Sequence, residues 1–157
     1  MKRFRIIIIS FLCFTQAFSE EHLKFLGFPI DGTVNEYASK LMSKGFYISP
    51  DNEYANKGLR VMEGPFLENT ESFGLHYDTD TKKMYSVVFC HSFFKKEEAK
   101  ELYDKLESLL HEKHNEATYK SPLVGSFVSS CSFQSNKGII TLIIIEQDDD
   151  YQVKMSY

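Results

Sequence analysis

The sequence lacks the motifs that most enzyme classes require. It has no Gly-x-Ser-x-Gly nucleophile elbow, no glycine-rich phosphate loop and no His-Glu-x-x-His zinc motif. Residues 129–132 are rich in hydroxyl groups, but the apolar residues around them indicate a strand with one polar face. Without a nucleophile, a metal or a paired acid and base, we predict no catalytic residues and no cofactor, and a non-enzymatic protein is favoured.

Metal-binding spacings are also missing, although five histidines are present. His111 and His114 lie three residues apart near the end of a predicted helix, a position typical of solvated side chains that complement the helix dipole. A calcium loop beginning at Asp78 needs Gly and Glu at its sixth and twelfth positions, where Lys83 and Phe89 stand instead. We therefore predict no metal site.

Only one long apolar run occurs, and it lies at the N-terminus. Basic residues at positions 2, 3 and 5 precede the apolar residues 6–14, and Ala17 and Ser19 supply small side chains before a cleavage point. A transmembrane anchor needs about 20 apolar residues, more than this run offers. The pattern predicts a signal peptide over residues 1–19, a single domain over 20–157 without a membrane span, and a secreted or periplasmic location.

Positive charge is scarce in the predicted mature chain. Residues 1–19 hold three of the 18 basic residues and none of the 22 acidic ones, which leaves a net charge of −7. Nucleic acids are bound through clustered Lys and Arg side chains. The acidic balance therefore argues against a nucleic-acid partner.

Cysteine is rare, and the predicted mature chain keeps only Cys90 and Cys131. In an oxidising compartment the two side chains suit a disulfide, which would close a loop of about 40 residues and stabilise the fold by roughly 3 to 4 kcal/mol. They equally suit two buried thiols that pack as small hydrophobic groups. The sequence leaves both alternatives open.

Two helices are predicted from capping residues and apolar spacing. Thr33 and Glu36 form a capping box, and Gly45 followed by Phe46 is typical of a helix end, so a first helix is expected between them. Residues 95–114 keep a strict helical period. Their expected buried stripe is Ala99, Leu102, Tyr103, Leu106, Leu109 and Leu110.

The remaining apolar segments alternate as strands do, and turn residues separate them. Gly64 is a candidate bulge, and the nearly continuous apolar run 84–90 predicts a central strand buried on both faces. The expected fold class is α+β, with two helices on one face of an antiparallel, meander-type sheet of about six strands. The predicted extended segments are 23–30, 46–48, 59–66, 73–77, 84–94, 127–133, 139–145 and 151–157.

Tryptophan is absent, whereas tyrosine is abundant, with 9 residues. Tyrosine is favoured where an apolar surface meets a partner, so Tyr37, Tyr47, Tyr54 and Tyr119 are a candidate binding surface. The favoured function is an exported binding protein, such as an inhibitor or adaptor of a protein partner. The alternative is a small hydrolase or small-ligand-binding protein with a pocket between the helices and the sheet. The tyrosines would require neither of these functions if they simply lie on a solvated face of the sheet.

One motif resembles a known family. Residues 27–33 read Gly-Phe-Pro-Ile-Asp-Gly-Thr, and Lys-Gly-Phe at 44–46 and Glu-Gly-Pro-Phe at 63–66 follow. With the signal peptide, these segments resemble a family of small uncharacterised secreted proteins of Bacteroidetes. The resemblance implies an exported bacterial protein. It brings no established activity, so it assigns no functional residue.

Overall fold

Two α-helices and ten strands form in the residues that the computed structural model describes, which are 22–50, 55–114, 118–119, 127–147 and 150–157. The helices are α1 (Val34–Met42) and α2 (Lys96–Lys113), and a 3-10 helix spans Ala55–Lys57. The strands are β1 (Lys24–Phe25), β2 (Phe28–Pro29), β3 (Tyr47–Ile48), β4 (Leu59–Phe66), β5 (Asn69–Tyr77), β6 (Met84–Phe93), β7 (Thr118–Tyr119), β8 (Phe127–Ser135), β9 (Gly138–Gln147) and β10 (Asp150–Ser156). The predicted signal peptide lies outside the described residues.

The large sheet is antiparallel throughout and has the strand order β3-β4-β5-β6-β10-β9-β8-β7. The α+β class and the antiparallel sheet are thus confirmed, but about six strands is too few, because eight pair. The meander-type order holds only within each half of the sheet. Each helix is followed by its own four-stranded meander, and the two meanders join where β6 pairs with β10. The segment predicted at 23–30 forms a separate hairpin of β1 and β2.

Helix α1 begins and ends where its sequence predicts. The Glu36 amide donates to Thr33 Oγ1 (3.3 Å), and the Thr33 amide donates to Glu36 Oε2 (2.8 Å), which completes the capping box. At the other end Gly45 adopts a positive φ of 90°, and the Phe46 amide donates to the Leu41 carbonyl. Local sequence therefore fixes both ends of this helix.

Helix α2 packs by a narrower stripe than predicted. Ala99, Tyr103, Leu106 and Leu110 are buried, whereas Leu102 and Leu109 are only half-buried at its margins. No helix of the described residues is long and apolar enough to cross a membrane.

The core lies on one face of the sheet, which we call the inner face. Paired residues on neighbouring strands point to the same side, and one buried row crosses six strands: Met62, Phe73, Phe89, Met155, Leu142 and Cys131. Phe46, just after α1, contacts the Phe73 ring (centroids 5.6 Å apart), and Tyr103 of α2 hydrogen-bonds Cys131. Both helices therefore shield the same face.

The prediction that residues 84–90 form a strand buried on both faces is wrong, because strand β6 is covered on one face only. Burial alternates along it, with Met84, Val87 and Phe89 buried and Tyr85 and Cys90 exposed. The strand is central in pairing, yet only its inner face is covered. A nearly continuous apolar run is typical of a strand covered on both faces. The sequence alone does not show whether a second layer of structure exists to cover the second face.

Candidate functional site

The opposite side of the sheet forms the open face, because the helices and the small hairpin of the described chain lie on the inner face. One row of the open face crosses six strands: Val61, Gly74, Val88, Ser156, Thr141 and Ser132. A neighbouring row contains Cys90, Lys154, Ile143 and Ser130. These side chains are half-buried or exposed, so the face is accessible in the described structure.

Charge is sparse on the open face, although 25% of the whole chain is charged. Among the residues that β4–β6 and β8–β10 place there, Lys154 is charged near the centre and Glu63 and Asp150 near the margins. The rest are hydroxyl, amide, histidine or apolar side chains, with the Cys90 thiol and the glycine Gly74. The face is therefore uncharged over most of its area, unlike the solvated outer side of α2.

Tyr47, one of the four predicted binding residues, lies at the margin of the open face. It is 47% exposed, pairs with Glu63, and donates its hydroxyl to Glu63 Oε2 at 2.7 Å. This hydrogen bond raises the pKa of Tyr47. A hydrogen bond from Ser49, followed by that of Tyr47, lowers the pKa of Glu63. The ring is thus held by its hydroxyl and remains accessible.

The prediction for Tyr37 is wrong. Its side chain is fully buried under α1 (0% exposed), its hydroxyl lies 3.5 Å from the Phe25 carbonyl oxygen, and burial raises its pKa. It belongs to the apolar stripe of α1 and serves the core. Tyr54 lies outside the described residues, and of Tyr119 only the backbone is described, paired with Ser132.

Of the two alternatives that the sequence left open for the cysteines, the disulfide is not formed, and both thiols are free. Cys90 is exposed on the open face, whereas Cys131 is buried on the inner face. Their strands are separated by β10 and β9, which puts them about 14 Å apart within the sheet at ~4.8 Å per strand. A disulfide needs Cβ atoms about 3.5 to 4.5 Å apart, so strand order and opposite faces exclude the bridge.

A second feature is a cavity of about 310 Å³ between α2 and the inner face, which we call the α2 cavity. Its most buried polar contact joins His91 Nδ1 to Glu71 Oε2 at 2.7 Å. Only 9% of the Glu71 side chain is exposed. The cavity is lined by Leu67, Asn69, Glu71, Phe89, His91, Phe93, Glu98, Glu101, Leu102 and Lys105.

Strand β6 supplies one wall of this cavity as an aromatic ladder of alternate residues. The His91 ring centroid lies 4.6 Å from that of Phe93 and 6.5 Å from that of Phe89. Because Nδ1 is engaged by Glu71, Nε2 is the ring nitrogen left for a ligand. The described lining contains no Ser, Thr or Cys, so the pair can move a proton or bind a polar group but has no hydroxyl or thiol nucleophile beside it.

Sequence reasoning missed this site, although one signal was present. Glu71 continues the inner-face alternation of Phe73, Leu75 and Tyr77, where a carboxylate is out of place without a partner. His76 on the same strand does not reach His91, because it pairs with Ser86 on the open face. The partner of His91 is the acid on the same strand as His76.

A wider cleft of about 1010 Å³ lies at the other end of β6. It is formed by the beginnings of β6 and β9, the end of β10 and the segment after β2. No group of three or more His, Cys, Asp or Glu side chains within the described residues is arranged to hold a metal ion. His111 instead packs edge-on against Phe133, with centroids 4.9 Å apart.

Comparison with known proteins adds no relative from which a role can be transferred. No family model, no curated protein and no solved structure matches this chain.

Proposed function

We propose that this protein is exported and binds a protein partner through its open face, acting as an inhibitor or adaptor. The observation that carries the proposal is the low charge of that face. The centres of protein interfaces are depleted in charged residues relative to the remaining surface. Val61, Val88 and Ile143 supply apolar contacts there, and the surrounding hydroxyl groups supply hydrogen bonds.

The size of the open face supports the same role. Six strands at ~4.8 Å each, and about seven residues of ~3.3 Å along each strand, give an area on the order of 650 Å² before the edge strands are counted. A standard protein interface buries about 800 Å² on each partner. The partner we propose is therefore a folded protein that presents a broad, weakly charged surface.

Export rests on the sequence. Residues 1–19 have the charged head, apolar run and small-residue cleavage pattern of a signal peptide, and the resemblance to secreted Bacteroidetes proteins agrees with it. N-terminal sequencing of the processed protein tests this directly. Cleavage after Ser19 supports export, whereas a retained Met1 in the purified cellular protein contradicts it.

The test of partner binding places a charge on the open face. Val88→Glu lies in its central row, and the control Glu112→Lys changes an exposed charge in the last turn of α2. Tagged wild-type and variant proteins are recovered from the envelope and secreted fractions of the source cells, and folding is checked by thermal unfolding. We expect one defined protein to be retained by the wild type and Glu112→Lys and to be lost from folded Val88→Glu.

Two results would contradict the proposal. One is that Val88→Glu retains the same protein as the wild type. The other is that the wild-type chain forms a dimer in solution that Val88→Glu dissociates, which would make a second copy the occupant of the open face.

A second candidate function, small-ligand binding or hydrolysis, is favoured by the α2 cavity. Its volume is at the lower end of the range for small-molecule sites, about 300 to 1,000 Å³. A histidine and a buried carboxylate converge in it, as such sites require. This function does not need the open face, so the two candidates are tested separately.

A further inference from the structure

The α2 cavity contains a buried acid with unused binding capacity. The Glu71 side chain is more than nine-tenths buried, and His91 engages only its Oε2 atom. Its other oxygen, Oε1, has no hydrogen-bond partner among the described residues. Oε1 is not sealed from solvent, so it is an acceptor that a ligand in the cavity can reach, and a hydrogen bond donated to this charged group would favour binding.

The charge of the lining fixes the sign of that ligand. Three carboxylates, those of Glu71, Glu98 and Glu101, face one ammonium group, that of Lys105. Glu98 pairs at 2.9 Å with Lys95, which lies outside the lining, so Glu71 and Glu101 supply the uncompensated negative charge against Lys105. With His91 neutral, the lining is therefore net negative. An anionic ligand would meet repulsion from Glu71, whose carboxylate is largely shielded from water and therefore interacts strongly with other charges.

The apolar walls of the cavity indicate that the uncharged part of the ligand is apolar. Phe93 presents half-buried aromatic surface from β6, with Phe89 buried behind the His91 ring, and Leu102 supplies apolar surface from α2. A cation over an aromatic face is attracted by the ring, more strongly when both are shielded from water. An apolar body fits between the ladder and Leu102 and removes its own surface from water.

We infer that the α2 cavity binds a small organic cation, an amine or a guanidinium compound whose charged head hydrogen-bonds Glu71 Oε1 and whose apolar body lies between Phe93 and Leu102. The inference rests on the second candidate function, since it names the ligand class of that site. Binding alone is claimed, and no chemical step on the ligand is implied.

Calorimetric titration with three similar probes tests the inference: benzylamine as the cation, benzyl alcohol as the neutral analogue and benzoate as the anion. We expect benzylamine to bind at least tenfold more tightly than either of the others. Glu71→Gln is expected to weaken benzylamine binding about tenfold and Phe93→Ala severalfold. Glu112→Lys, which lies outside the cavity, is expected to leave binding unchanged.

Because Glu71→Gln alters a buried pair, Glu101→Gln on the exposed side of α2 serves as a second variant whose fold is not at risk. We expect it to weaken benzylamine binding severalfold. The inference is overturned if benzoate or benzyl alcohol binds as tightly as benzylamine, or if both Glu variants bind benzylamine as the wild type does. Either result would reject the preference for a cation but would not contradict small-ligand binding in the α2 cavity. Failure of all three probes to bind rejects the site itself.

Discussion

The ring of Phe46 lies directly against the backbone of Gly64, so that any Cβ atom added at position 64 would overlap the ring. Gly64 had been predicted to form a bulge, but β4 is regular there and Gly64 pairs with Glu71. The glycine instead lets the residue that follows α1 reach the inner face, where it contacts Phe73. This contact fixes the first helix on the sheet.

We therefore expect Gly64→Ala to lower the free energy of unfolding by about 1 to 3 kcal/mol, the usual cost of overpacking a core. Gly74→Ala in β5 is the control, since its Cβ would meet chiefly the flexible end of Leu59. Denaturant unfolding measures both. Adding Phe46→Leu to Gly64→Ala should recover part of the loss, and equal stabilities of the two alanine variants would contradict the close packing.

The two thiols should react at very different rates. Cys90 is exposed on the open face and Cys131 is buried beneath α2, so we expect a maleimide to modify Cys90 in the folded protein and Cys131 only after unfolding. Neighbouring side chains partly desolvate the Cys90 sulfur, which raises the pKa of this thiol. Because the thiolate is the reactive form and its fraction grows with pH, labelling is faster at pH 8 than at pH 7. Peptide mass spectrometry assigns the sites. Protection of both thiols that a reductant removes would indicate the disulfide that this structure excludes.

How far the sequence predicts the fold depends on the range of the signals. Thr33, Glu36 and Gly45 fixed α1 because caps act over three or four residues. The pairing of Glu71 with His91 could not be predicted from the sequence. A bulge between His76 and Tyr77 shifts the β5–β6 register, so counting residues outward from the turn between these strands gives the wrong partners. Tyr37 lies in the buried stripe of α1, three residues after Val34 and four before Leu41, and this helical spacing indicates burial more strongly than residue type indicates a binding surface.

The residues of the open face could not be assigned from the sequence for a different reason. The alternation of side chains shows which residues of a strand lie together, but not whether a second layer covers them. Cys90 and Cys131 illustrate this, since both were predicted to lie in strands. That they lie on opposite faces and are separated by two strands depends on β10, which pairs with β6 at the centre of the sheet. Strand order of this kind is set by packing of the whole chain.

The turn between β4 and β5 carries side chains where glycine is preferred. Leu67 and Glu68 adopt positive φ angles of 48° and 74° in a two-residue hairpin turn. We expect Glu68→Gly to raise the free energy of unfolding by about 0.5 to 1 kcal/mol, because glycine reaches this conformation without strain. Glu68→Ala keeps the Cβ atom and is the matched control. Equal effects of the two changes in thermal unfolding would mean that the turn is not strained.

The stability of the fold should depend on the protonation of His76. Burial on the open face lowers its pKa, so the native state resists the proton that the unfolded chain accepts below about pH 6.5. The contribution of His76 to the free energy of unfolding is therefore at its full value above pH 6.5. It falls as the pH drops from 6.5 through the lower pKa that His76 has in the native state. Urea unfolding of His76→Gln should decline less than that of the wild type between pH 7.5 and 5. An identical decline would contradict this assignment.

The measurement that tests partner binding most directly uses Cys90 as a built-in probe on the open face. Cys90 carries a photoactivated crosslinker in one sample. In the other, Glu112→Cys carries it in a Cys90→Ser background, which moves the probe to the exposed side of α2. Both proteins are irradiated in the envelope and secreted fractions of the source cells. We predict a single discrete adduct with another protein from Cys90 and none from position 112. No adduct from Cys90, or the same adducts from both positions, would contradict a partner on the open face.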